Sequence, residues 1–198
     1  MKKSTEKEEL KNLLVQTRRK EKIKKEHVNV KWIIEIVIMA FAISFVLSLV
    51  SQTTIPKLST WIGVIITLVF VGLGIMFDIV GVAVNSADEK VFHSMNARQV
   101  SGAKVAVIFK KNADKVSSFC NDVIGDICGI VSGAAGLSIA TNIANSLNCD
   151  LLFINLTVAA IIAALTIGGK AMGKSFAMNK SDIILYEFAK IVSIFYKG

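Results

Sequence analysis

The sequence predicts an all-α polytopic membrane protein, with four transmembrane helices and amphipathic juxtamembrane helices. Three observations carry that prediction. First, 53% of the 198 residues are hydrophobic and only 19% are charged, against about 25% charged in an ordinary soluble domain. Second, the apolar residues fall in four long blocks, and about 20 mostly apolar residues in a helix cross about 30 Å of hydrocarbon. None of the blocks alternates apolar and polar at every second residue, as barrel strands would. Third, 22 of the 23 Lys and Arg lie on segments that alternate with the blocks, leaving only Lys57 for the opposite side. These features exclude a soluble enzyme with one globular core, a disordered chain and a disulfide scaffold.

Residues 1–31 form a basic cytoplasmic segment with 11 Lys and Arg. It is weakly amphipathic through Leu10, Leu13 and Leu14. The membrane domain occupies 32–198. Its first span is expected over about 32–50, with Glu35 at the edge, and a short loop with Pro56 follows. The second span is expected over 61–86 and carries Asp78. Ser86-Ala87-Asp88-Glu89 then fits a capping box, with Ser86 as the capping residue. A helix is expected over about 87–111, because Val91, Phe92, Met95, Val100, Ala103, Val107 and Ile108 recur at nearly helical spacing. It either lies on the membrane surface or packs on its own protein. The third span is expected over 116–147, the fourth over 151–170 and a second amphipathic helix over 181–196. Basic residues collect on cytoplasmic flanks, so both termini are expected inside the cell membrane, near anionic lipid headgroups. The pI near 9.4 thus reads as topology, and no nucleic-acid partner is expected. Neither is a signal peptide, because the basic leader is long and no small-residue cleavage site follows.

Ionisable groups at membrane depth cost about 2.5–3.5 kcal/mol each by insertion scales, so they normally face a partner or a wet cavity. Asp78 and Asn85 share a stripe of the second span, with Ser86 beside it. Asp122 and Asp126 recur on the third with Gly129 and Gly133. Thr166 and Lys170 share a face of the fourth. One reading is a cation site built from Asp78, Asn85, Ser86, Asp122 and Asp126, because hard cations such as magnesium take oxygen ligands. A second is an internal ion pair of Lys170 with Asp78 or Asp126. A third leaves Asp122 and Lys170 among the headgroups. Gly125-x3-Gly129-x3-Gly133 permits close helix approach, within one chain or between two. His93 reads as solvated. The three cysteines show no zinc spacing, and no enzyme signature is visible.

With these residues set out, positions 75–195 resemble the transmembrane domain of the CorB/CorC and cyclin-M (CNNM) magnesium transporter family. Phe77, Ala83 and Ser86 match the end of that family's first membrane helix. Gly102-x3-Ala106 and Asn112-Ala113-Asp114 match its juxtamembrane helix. Ser118, Asn121 and Gly125-Asp126 match the next opening if a small insertion is allowed. Gly169-Lys170-x2-Gly173-Lys174-Ser175-x-Ala177 matches the last motif. The resemblance implies a homodimer that binds magnesium between its helices, with Asn121 added to the oxygen ligands. The departures are specific. Gly81 and Lys170 stand where the family has glutamates, and the family's CBS pair is absent from these residues. The reading is therefore divalent-cation binding or transport at an intramembrane site. The alternative is a non-transporting membrane scaffold in which Lys170 replaces the metal.

Overall fold

The computed structural model describes residues 30–195, and the expected features of residues 1–29 lie outside it. The chain divides into two units, residues 1–38 and 39–198. Of the first unit, the described part is the opening of helix α1 (Val30–Thr54), in which Ile33, Ile34, Val37 and Ile38 are exposed. The second unit continues α1 and then holds α2 (Thr60–Ser86), α3 (Glu89–Ala97), α4 (Ala103–Lys111), α5 (Ala113–Leu147), α6 (Leu151–Asn179) and α7 (Ser181–Phe195). Among the described residues no strand occurs. Four helices, α1, α2, α5 and α6, are long and apolar enough to cross a membrane, as the sequence predicts for an all-α polytopic protein.

The ends differ from the expected ones for local reasons. The fourth helix does not stop near Lys170. It runs to Asn179, since Ala171 to Met178 contains no Pro and no residue with positive φ. The segment 87–111 is not one helix. Gln99 (φ 56°) and Gly102 (φ 83°) are left-handed and turn the chain between α3 and α4. Gly102 meets a second demand, because a β-carbon there would lie 2.9 Å from the Lys190 Cα. Ser86 does not cap α3. It is still within α2, and the cap is Asp88, whose extended backbone lets its carboxylate accept from the Lys90 N–H at 2.9 Å. Asp150 caps α6 in the same way through Leu152.

The larger core gathers Val80 and Val84 of α2, Phe92 of α3, Val105, Ala106 and Val107 of α4, Cys120 of α5, and Leu185 and Ala189 of α7. Most of the apolar face of α3 and α4 is therefore packed on the protein itself, while Val91 and Ile108 stay exposed. A smaller core of Ile55, Ala135 and Ile139 closes the far end. Asp182 of α7 accepts from the Asp88 N–H at 2.9 Å and clips α7 to the start of α3. Burial inside the spans is uneven. In α5 residues such as Val131, Ser132, Ala135 and Ala140 are fully enclosed, whereas in α6 only Gly173 and Ala177 are buried.

Candidate functional site

The site begins with glycines. A β-carbon at Gly74 of α2 would lie 3.1 Å from the Cys128 Cβ and 3.3 Å from the Gly125 carbonyl of α5. The two helices touch there, one turn before Asp78. On the other side, Gly169 and Gly173 of α6 receive the Ile75 and Ile79 side chains of α2. Lys170 lies between those two contacts, and its flexible stem reaches across to the carboxylates. Gly125 itself faces Lys170, whose Nζ is 3.5 Å from where a Gly125 β-carbon would stand.

The Lys170 ammonium is 3.5 Å from Asp78 Oδ1 and 3.5 Å from Asp126 Oδ1. One cation from α6 therefore bridges one anion from α2 and one from α5. The side chains differ in exposure: Asp78 is 19% accessible, Lys170 25% and Asp126 66%. Asp78 and Lys170 are the enclosed pair, and Asp126 joins from the open side. Both distances exceed the 2.7–2.9 Å of a short charge-assisted hydrogen bond. The bridge is thus held by charge attraction more than by directional bonding, with the Asp78 arm shielded and the Asp126 arm open to solvent.

Asp126 opens the regular part of α5 directly after a wide π turn, Phe119–Gly125. Such a turn inserts a residue into an α-helix and recurs at functional sites.

A second, uncharged cluster lies two turns along α2. Asn85 Nδ2 donates to Ser117 Oγ at 2.8 Å, and Asn121 Nδ2 donates to the same oxygen at 3.4 Å. Gly81 makes room for it, since a methyl group there would overlap the Asn121 amide. Asn121 Oδ1 is buried and has no hydrogen-bond partner among the described residues. Lys110 of α4 donates to the Val84 carbonyl at 3.0 Å and the Asn85 carbonyl at 2.9 Å. It satisfies two acceptors that the helix end leaves open.

The sequence-derived site residues therefore separate into groups. Asp78, Asp126 and Lys170 meet. Asn85 and Asn121 meet each other through Ser117, apart from Lys170 and its two carboxylates. Ser86 is exposed in the last turn of α2, and Asp122 is exposed on α5, so the expectation of three converging acids is corrected to two. Of the acids, Asp78 and Asp126 lie at Lys170, and in the π turn that carries Asp122 the buried side chains are Cys120 and Val123. Thr166 shares the Lys170 face but donates to the Ile162 carbonyl of its own helix at 2.8 Å. His93 is exposed and lies 3.2 Å from Glu89 on its own helix. Ser117 and Lys110 were not singled out from sequence. Ser117 had a signal, one turn before Asn121 and Gly125 on the same stripe. Lys110 had none.

Among the described residues no three His, Cys, Asp or Glu side chains gather as a metal-holding group. The two carboxylates that do converge have an ammonium between them. As arranged, this donor set does not fit a divalent ion, because Lys170 holds the position the ion would need. Comparison with known proteins finds no matching family model, no matching curated protein and no matching solved structure.

Proposed function

We propose that this multi-pass membrane protein is a non-transporting scaffold, in which the Lys170 ammonium stands in for a metal ion and ties three spans together. The single observation behind this reading is the equal approach of Lys170 to Asp78 and Asp126. An ion bound between helices can leave, whereas a tethered ammonium cannot. The charge distribution of the chain supports a cell-membrane location with both termini cytoplasmic and the basic surfaces against anionic lipid or a partner. Gly129 and Gly133 have open space where a β-carbon would stand, which supports a homodimer seam beside the intramolecular contact at Gly125.

The second reading, divalent-cation binding or transport as in the family that the sequence resembles, draws on a different observation. Two carboxylates against one ammonium leave one negative charge, and Asp126 gives the pair an exposed side from which a cation could approach.

Proteoliposomes loaded with a magnesium-sensitive dye separate the two readings. The scaffold predicts no magnesium flux and no magnesium-dependent rise in unfolding temperature for the natural chain. Lys170→Glu then lowers the unfolding temperature, and added magnesium restores it, because three carboxylates would face one another. Flux through the natural chain that Asp126→Ala abolishes would overturn the scaffold and establish transport.

A further inference from the structure

Helix α7 has two apolar faces, and the folded chain uses only one. Leu185 and Ala189 are fully buried, with Phe188 and Val192 beside them against the larger core. On the opposite side Ile183, Ile191 and Ile194 are each more than half exposed. At 100° per residue these three positions fall within a narrow arc that also contains Glu187. A helix whose only task was to cover the core would not need isoleucines there.

The depth of α7 indicates what covers them. Phe188 meets Phe77 edge to face, with ring centroids 6.4 Å apart. Phe77 lies nine residues before the end of α2 and next to Asp78. Helix α2 has 27 residues, and about 20 suffice to cross the hydrocarbon, so its surplus is about seven. Were the whole surplus at the Ser86 end, the hydrocarbon boundary would fall near Ile79. Phe77 would still lie on the apolar side of it. Helix α7 therefore packs along α2 at the level where acyl chains give way to headgroups. The connection agrees, since only Lys180 separates α6 from α7. So do the polar neighbours. Tyr186 is half-buried with Lys190 above its ring, 6.0 Å from the centroid, and tyrosines and basic residues collect at membrane interfaces.

We infer that α7 is an interfacial helix whose Ile183–Ile191–Ile194 face is covered by lipid at the headgroup–acyl boundary. Glu187 within the arc keeps it at the boundary instead of deeper. Helices α3 and α4 offer less to lipid: Phe92, Val105, Ala106 and Val107 are enclosed, and each helix exposes one large apolar side chain, Val91 at 36% and Ile108 at 38%.

The test places a fluorophore on one cysteine at a time, in the full chain carrying Cys149→Ser. The variants are Ile183→Cys, Ile191→Cys and Ile194→Cys, with Lys111→Cys as the aqueous control. Vesicles are phosphatidylcholine with phosphatidylglycerol, with or without doxyl-labelled lipid. Doxyl quenching at the three isoleucine positions should exceed that at position 111 about threefold, with the order reversed for aqueous iodide. All three sites are on the exposed face, so if one variant misfolds the other two still decide. Iodide quenching equal to that at position 111 would overturn the proposal. So would a disulfide between two copies at position 194 without doxyl quenching, which would make a second chain the cover.

Discussion

The charged bridge at Lys170 and the amide cluster at Ser117 lie two turns apart on α2, yet they hold the fold in different ways. The bridge joins three helices over 3.5 Å gaps. The amide cluster joins only α2 and α5 and depends on a 2.8 Å bond to one hydroxyl. Charge acts over distance, so a long lysine stem can satisfy two helices without close fit. Hydrogen bonds are short and directional, so the amides need Gly81 to admit Asn121. Each cluster also leaves a remainder: one negative charge in the first, one buried carbonyl oxygen in the second. Partly buried charge demands a partner more strongly than a neutral amide does, so the bridge should dominate stability.

The largest expected effect is that of Lys170→Met. It leaves two carboxylates facing each other without a cation, and breaking such a pair costs about 3 kcal/mol or more. Unfolding by dodecyl sulfate in mixed micelles would measure it. A cycle with Asp78→Asn should be strongly non-additive, because each change removes the other's partner.

Ser117→Ala should cost less, about 1–2 kcal/mol, since it removes one shared acceptor and leaves two amides to find others. The same assay applies. A loss as large as that of Lys170→Met would make the amide cluster the main tie and reverse the comparison.

The smallest expected effect is that of Asp126→Asn, below about 1 kcal/mol, in line with exposed ion pairs. It should shrink further in high salt, whereas the Lys170→Met effect should persist because Asp78 and Lys170 are largely shielded. Equal losses for Asp126→Asn and Asp78→Asn would show that exposure does not rank the two carboxylates.

Much of this was legible from residue order. Asp78, Asp126 and Lys170 stand out because ionised groups in apolar runs are costly and need partners. Their meeting across three helices was one of the readings open from sequence. Asp122 stands out for the same reason, yet it is exposed. Asp122 lies within the π turn at Phe119–Gly125, where Cys120 and Val123 are the buried side chains, and Asp126 follows it. The single helix expected over 87–111 failed on two residues of left-handed backbone, Gln99 and Gly102, of which only the glycine is a visible signal.

The sequence by itself determined the solvent, the number of long apolar helices and the residues that could not be left alone in lipid. Hydropathy and charge are additive along the chain, and a bilayer reads them segment by segment. Tertiary structure alone decided which residues meet. That depends on helix rotation and close approach at Gly74, Gly169 and Gly173, and on the wide turn before Asp126. It also decided that α3 and α4 spend most of their apolar faces on the protein while α7 keeps three isoleucines more than half exposed. Which of two amphipathic faces is already covered is a property of the packed neighbours and is not encoded in the helix's own periodicity.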